Sequence, residues 1–444
     1  MTNMFHRDTI GDISPRSAAR YPNQTAVIFR DKELTFHELD KAACRFAHLM
    51  IEYGVAKGDR VAVLAYNSHF YPITLLGLAK IGAAQVPVNY MLNGEEIAYV
   101  VSHSGAKIFL VEDGLLPLVD EKKDLLPLVE KWGVILLHDD KAPAGFFDLE
   151  KEINAMPDYE PEIDVDTEDI VQIPYTSGTE SKPKGAMLSH RSLMSQYFSC
   201  IIEGQYEKQY VSIHAMPLFH CAQLHCFLMP LIYIGAKNII LHRADPAHIL
   251  STIELYKATH MFAPPTVWIG LLHHPDFEKH NLASLKKCAY GASIMPVEVI
   301  RQLNKSFAGI RLWNYYGQTE MGPVATILKP EDQLTRAGSA GKPVINVETR
   351  LMDDDGNFVP VGQVGEIVHR SGQVMSGYLN DPEKTAEVFQ FGWFHSGDLG
   401  VMDNDGYLYV VDRKKDMIKT GGENVASREV EEVLYAHPAV AEVA

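Results

Sequence analysis

Up to about residue 337, short apolar runs alternate with stretches whose apolar positions recur every three to four residues. The runs Val61-Ala62-Val63-Leu64, Ala83-Ala84-Gln85-Val86-Pro87-Val88 and Ala106-Lys107-Ile108-Phe109-Leu110-Val111 predict buried strands. Helices are predicted between and after them, over 71–81 and 97–102. Arg30-Asp31-Lys32 sits between two strand-like runs and predicts a hairpin. Thr35 and Glu38 form a capping box for a helix whose apolar side is Leu39, Ala42, Phe46, Leu49 and Met50. The rhythm resumes after residue 170, with strands expected at 212–216, 237–241, 260–263, 287–290 and 311–316 and a helix at 247–257.

From about residue 338 the texture changes to short alternating strands with turn signals at Asp353-Asp354-Asp355-Gly356 and Asp403-Asn404-Asp405-Gly406. The expected fold class is therefore α/β. Two doubly wound αβα subdomains (1–169 and 170–337) precede a small antiparallel β-barrel subdomain (338–412). Residues 158–169 are acidic, carry Pro161 and read as a linker. After Asp412 come a basic run, Gly421-Gly422 and a helical pattern over 427–435. Residues 413–444 read as a hinge and the beginning of an incomplete α+β C-terminal domain.

A net charge of −17 argues against a nucleic-acid partner held by a general basic surface. Any polyanion must be met by local groups. Five cysteines without a Cys-x-x-Cys pair suit a reducing compartment. The first residues show no apolar signal segment. The most apolar stretch, 226–236, contains Pro230 and is too short to span a bilayer. A cytoplasmic location is expected.

The segment from Tyr175 to Gly185 (Tyr-Thr-Ser-Gly-Thr-Glu-Ser-Lys-Pro-Lys-Gly) gathers hydroxyls, glycines and two lysines between strand-like flanks. Such a loop can cradle phosphate oxygens. It lacks the Gly-x-x-x-x-Gly-Lys-Ser/Thr pattern opening into a helix. By itself it is equally a polar surface loop. Ser189 is an expected N-cap for a helix beginning near His190. Three further predicted strands end in small or polar loops: Pro217-Leu218-Phe219-His220, Gly291-Ala292-Ser293 and Gly317-Gln318-Thr319-Glu320. Ligands of parallel sheets bind past the carboxyl ends of strands, so the site is expected to gather the loops after Tyr175, Met216, Tyr290 and Tyr316.

Four stretches together carry a resemblance: Tyr175–Gly185, Tyr316-Gly317-Gln318-Thr319-Glu320, Gly392-Trp393-Phe394-His395-Ser396-Gly397-Asp398, and Asp412-Arg413-Lys414-Lys415 through Asn424. In this order and spacing the chain resembles the acyl-adenylate-forming superfamily of acyl-CoA synthetases, adenylation domains and beetle luciferases. The resemblance implies ATP, Mg2+ and CoA as cofactor and co-substrates, and a small-molecule carboxylic acid as substrate. Thr176, Ser177, Gly178, Thr179 and Lys184 would hold the phosphates. Glu320, with Thr176, would bind Mg2+, and Thr319 would touch the α-phosphate. Gly291 and Ala292 would admit adenine, with Tyr316 on its face and Gly317 beside it. Asp398 would accept from the ribose hydroxyls, with Arg413 on the far side. His220 would border the acyl carboxylate and the thiol path. Gly317, Lys419, Gly421 and Gly422 would line the CoA tunnel, and Lys415 would be the hinge. His214, His220, Cys221, His225 and Cys226 offer a competing metal-site reading without a matching ligand pair.

No aspartate for a substrate amine lies between Pro217 and Leu224. Phe227, Leu228, Met229, Ile232, Ile294 and Met295 offer an apolar lining. The resemblance is therefore closest to synthetases of fatty or other hydrophobic acids. A carrier-protein-loading adenylation protein and a non-catalytic nucleotide- or acyl-binding relative stay open, as does a homodimer. Two departures stand out. Glu180-Ser181 replaces the usual Thr-Gly, which puts ATP affinity in question. The family's C-terminal domain also runs on for about a further hundred residues and carries a lysine that bridges carboxylate and α-phosphate. A chain ending at Ala444 is expected to bind ATP but to form acyl-AMP slowly.

Overall fold

The computed structural model describes residues 7–139, 141–176, 182–293, 295–307 and 309–414, and the backbone of the strands Ile418–Thr420 and Glu423–Val425. One sheet runs, edge to edge, through Leu188–Ser189, Ile170–Gln172, Ala84–Val88, Arg60–Leu64, Ile108–Glu112, Lys131–Ile135 and Phe147–Asp148. All but the Leu188–Ser189 edge pair in parallel. Ala84–Val88 and Ile108–Glu112 are buried along their whole length, as expected of strands covered on both faces.

The second sheet has nine strands in the order Lys342–Pro343, Val324–Leu328, Arg311–Gly317, Lys287–Gly291, His260–Phe262, Val211–His214, Lys237–Ile240, Thr25–Phe29 and Lys32–Thr35. Its centre is parallel and its two ends are antiparallel. The N-terminal hairpin forms as the sequence predicts, but it docks on this distant sheet, with Val27 opposite Asn238. Sheet membership thus crosses residues 169/170 in both directions. Local patterning specifies a strand but not its neighbour.

Thr35 caps the helix Phe36–Glu52, accepting from the Glu38 N–H, while the Glu38 carboxylate accepts from the Thr35 N–H. The helix Phe70–Lys80 is buried on every side, Lys80 included. The Lys80 ammonium meets Asp40 at 3.0 Å and Glu160 at 2.6 Å, so the buried charge is compensated. Glu160 also pairs with Arg7, and Asp158 with Arg45. The acidic stretch read as a linker therefore straps the first helices down.

The third unit is a five-stranded antiparallel sheet in which Trp393–Met402 pairs with Gly365–Ser371, Phe389–Gln390 and Leu408–Arg413, and Val347–Met352 forms one edge. Asp353 and Asp403 shape its turns: each carboxylate accepts from two backbone N–H groups downstream, at 2.8–3.0 Å. The predicted helix over 427–435 lies outside the described residues. Among the described residues no helix is long and apolar enough to cross a membrane.

Candidate active site

The carboxyl ends of the parallel strands open onto a cleft of about 860 Å3. The four predicted loops meet there: Thr176 and Lys184, Phe219 and His220, Gly291 and Ala292, and Tyr316 to Glu320 all line it. Tyr175–Thr176 and Lys184–Gly185 form an antiparallel pair with Thr176 opposite Lys184. This pairing presents one hydroxyl and one ammonium from opposite strands. Ser177, Gly178, Thr179, Glu180 and Ser181 lie outside the described residues.

This stem continues into a second backbone pairing. Met187 N–H donates to Gly377 at 3.0 Å, Ser376 N–H to Met187 at 2.8 Å and Leu379 N–H to Gly185 at 2.8 Å. The pairing carries Tyr378 to the cleft. Its hydroxyl donates to Glu320 Oε1 at 2.8 Å, and Lys184 Nζ stands 5.8 Å from its ring centre. Burial raises the Glu320 carboxyl above the usual carboxylate range, against the pull of the Tyr378 hydroxyl and of the Lys184 and Arg413 charges. Glu320 and Thr176 both line the cleft with hard oxygen donors, the kind Mg2+ takes.

Glu320 reaches its place through a break in the strand Arg311–Gly317. The register shifts between Tyr316 and Gly317, and Gly317 has φ +156°. A Cβ there would lie 2.0 Å from the Pro323 carbonyl oxygen, so only glycine fits. The chain then turns through Thr319–Met321. Thr319 Oγ1 lies 3.3 Å from Cys221 Sγ, which fixes it on the cleft floor.

Tyr316 points its hydroxyl at Asp398, donating to Oδ2 at 2.7 Å, and Arg413 Nε approaches Oδ1 at 3.6 Å. Burial raises the Asp398 carboxyl, while Tyr316 and Arg413 favour its ionised form. A Cβ on Gly291 would sit 2.5 Å from the Tyr315 carbonyl oxygen, so this strand end stays bare. Ala292 follows in the left-handed region at φ +66°.

His220 is exposed into the cleft, and its Nδ1 accepts from the Ala222 N–H at 3.1 Å. Desolvation by the cleft walls lowers its pKa and favours the neutral ring. The neighbouring histidines have structural partners. His214 is held by Asn238 at 2.9 Å and Gln223 at 2.7 Å, and His225 by Tyr197 at 2.6 Å and Gln172 at 2.7 Å. These contacts replace the competing metal-site reading. Residues 222–228 form a π-helix, so the i, i+4 face expected of an α-helix at Cys221 and His225 is not formed.

Of the predicted apolar lining, among the described residues only Phe227 faces the cleft, beside Phe262 and Tyr315. Leu228, Met229 and Ile232 are core residues instead, drawn inward by the π-helix and the helix Met229–Ile234, and Met295 is buried in the core as well. Ile294 lies outside the described residues. So do Lys415, Gly421 and Gly422, and Lys419 is described only in its backbone.

Tyr378 and Cys221 touch predicted site residues but carry no signal as such in the sequence. Tyr378 acts from a loop 58 residues away from Glu320. Cys221 was visible in the sequence only as a member of the competing metal-site set, not as a partner of Thr319.

The AMP-binding enzyme family model matches residues 15–379. Curated relatives include a feruloyl-CoA synthase of Amycolatopsis, 36% identical over 97% of this chain and 84% of its own. A long-chain-fatty-acid–CoA ligase of Bacillus subtilis is 34% identical over 98% of this chain and 82% of its own. Among solved structures, the anthranilate CoA ligase AuaEII with anthranoyl-AMP superposes with a TM-score of 0.91 at 28% identity, covering 98% of this chain and 83% of that one. A family match over most of the chain, together with curated relatives above 30% identity along nearly its whole length, leads to one conclusion: the chain belongs to the AMP-binding enzyme family, within the acyl-adenylate-forming superfamily.

Proposed function

We propose that this enzyme is an AMP-forming acid:CoA ligase for a hydrophobic carboxylic acid. The observation that carries the reading is the joint opening of the Thr176–Lys184 stem, Thr319, Glu320 and Tyr316 onto one cleft, with Asp398 held behind it by the Tyr316 hydroxyl. In the first half-reaction a carboxylate oxygen bonds to the α-phosphorus of ATP, and the bond to the β-phosphate oxygen breaks, releasing pyrophosphate. In the second, the CoA thiol loses its proton to water, sulfur bonds to the acyl carbon, and the acyl C–O bond breaks to release AMP.

Little covalent work falls to the protein; alignment and charge neutralisation are its tasks. Thr176 and Lys184, with Ser177, Gly178 and Thr179, hold the β- and γ-phosphates. Thr319 orients the α-phosphate. Glu320 and Thr176 would hold Mg2+, which would supply positive charge for the phosphate oxygens. Adenine lies along Gly291 and Ala292 against Tyr316 and Gly317, and the ribose meets Asp398 and Arg413. Neutral His220 borders the acyl carboxylate without adding charge. Lys415 is the hinge, and Lys419, Gly421 and Gly422 serve the pantetheine arm.

A fatty acid is one substrate reading. The walls favour a second, a ring-bearing acid. Phe227 stacks on Phe262 with centroids 4.5 Å apart, and Tyr315 stands 5.1 Å from Phe227. All three line the cleft, and such an aromatic cluster gives a ring-bearing acid aromatic partners. Acid-dependent ATP–pyrophosphate exchange by the full-length protein, across alkyl, aryl and amino acids, followed by detection of the CoA thioester, decides. Exchange without thioester favours the carrier-protein reading, and no exchange with any acid removes both enzymatic readings.

A further inference from the structure

Away from the cleft, three side chains with metal-binding atoms converge where the carboxyl ends of the two large sheets face each other. Glu112 ends the strand Ile108–Glu112, and His138 follows Lys131–Ile135 in the same sheet. His242 follows Lys237–Ile240 in the other sheet. One ligand atom from each lies within 4.8 Å of the others. His242 Nε2 is 2.8 Å from Glu112 Oε1, and His138 Nε2 is 3.6 Å from the same oxygen. Ligand atoms around tetrahedral zinc lie about 3.4 Å apart, given bonds of roughly 2.0–2.1 Å. The two separations straddle that spacing, so small ring movements admit the ion.

The surroundings hold the ligands in place. The Glu112 side chain is fully buried, and its second oxygen accepts from the Tyr66 N–H at 2.8 Å. The Asp113 carboxylate accepts from the backbone N–H groups of Leu137, His138 and Asp139 at 2.7–2.9 Å, pinning the loop that carries His138. Asn67 donates to the Leu241 carbonyl at 3.1 Å, and its own N–H reaches the His242 carbonyl at 3.4 Å. Such outer contacts orient metal ligands. A fully buried carboxylate also needs positive charge beside it. The ion-pair partners of Glu112 among the described residues are these two imidazoles. A divalent cation supplies the charge and leaves both rings neutral. The other three-residue cluster, Asp40, Cys44 and Glu160, already has its cation in Lys80.

We propose that Glu112, His138 and His242 form a binding site for a divalent cation of the zinc type, with a fourth position open to water, which fastens the two sheets together. Two imidazole nitrogens and one carboxylate suit zinc and disfavour Mg2+. The proposal is independent of the reaction in the cleft. The full-length protein, stripped with a chelator, is titrated with Zn2+ and with Co2+ as a visible probe. Expected are one zinc per chain, visible bands of tetrahedral Co2+, and a rise in Tm on adding zinc. His138→Ala and His242→Ala should each weaken zinc at least tenfold and abolish the Tm rise. His138 is half-exposed, so its variant should keep the metal-free Tm and circular dichroism of the parent. His280→Gln, at a remote His–Glu pair, should bind zinc like the parent. Absence of stoichiometric zinc binding at micromolar concentrations, or binding unchanged in both His138→Ala and His242→Ala, overturns the proposal.

Discussion

Glu320 is in tension with its own environment. Burial disfavours its charge, and the Tyr378 hydroxyl is the hydrogen bond that offsets the penalty. A raised carboxyl pKa means the folded chain holds this proton more tightly than the unfolded one. The associated stability is present below the ordinary carboxylate range and is lost as pH rises through the folded value. Tyr378→Phe removes the offset and raises the pKa further. If Glu320 is the anionic Mg2+ ligand, the acid limb of the kcat/KM profile moves to higher pH and Mg2+ dependence weakens. The loss should be roughly tenfold or more, since a hydrogen bond to a charged group contributes about 1.5–3 kcal/mol. Superimposable profiles for parent and variant would reject the role. The motifs exposed Glu320 to a reader of the sequence but not Tyr378. Their contact depends on residues 185–187 pairing with 376–379, and nothing local encodes that pairing.

Between elements, the junction of Arg311–Gly317 and Val324–Leu328 sets the cleft floor. Gly317→Ala would put a methyl group 2.0 Å from the Pro323 oxygen and 2.8 Å from the Ala325 nitrogen, in a backbone conformation that alanine resists. The bulge cannot persist, and Thr319 and Glu320 lose their positions. Urea denaturation should show a loss of about 3 kcal/mol or more, with nucleotide binding abolished. Gly270→Ala, in the helix Pro265–Leu272 with open space around it, should be neutral or stabilising by up to about 1 kcal/mol. Equal effects would reject the steric account. Elements of this kind were largely legible. The hairpin turn at Arg30, the Thr35 and Ser189 caps and the buried strands all form where periodicity and capping chemistry put them. Their partners were not legible. The hairpin's place beside Lys237–Ile240, and the strap made by Asp158 and Glu160, rest on contacts between residues more than 70 positions apart. The π-helix at 222–228 also escaped, because its apolar spacing reads equally well as α-helical.

For the whole molecule, the buried histidines set acid stability. Burial lowers His69, His225, His260 and His369 to about 3, and His190 and His214 to about 4. In the unfolded chain each titrates near about 6.5. Above that pH neither state holds the proton and the groups are silent. Below it the unfolded chain binds protons that the folded chain refuses, so stability is lost as pH falls toward the folded values. Each histidine removes about 1.4 kcal/mol per pH unit. Six acting together remove roughly 8 kcal/mol per unit, against a typical total stability of about 5–15 kcal/mol. The raised carboxyls of Glu320 and Asp398 act in the opposite direction, because they take up protons in the folded state first, but they are outnumbered. Tm measured by calorimetry should therefore be nearly flat from pH 8 to about 6.5 and fall steeply below it, with cooperative unfolding within about two pH units. His225→Gln replaces a titrating ring with an amide that can still meet Tyr197 or Gln172, and it should flatten the slope by about one proton. A Tm that holds steady down to pH 5, or a slope unchanged in His225→Gln, would show that these histidines are protonated inside the fold and that burial does not control their charge.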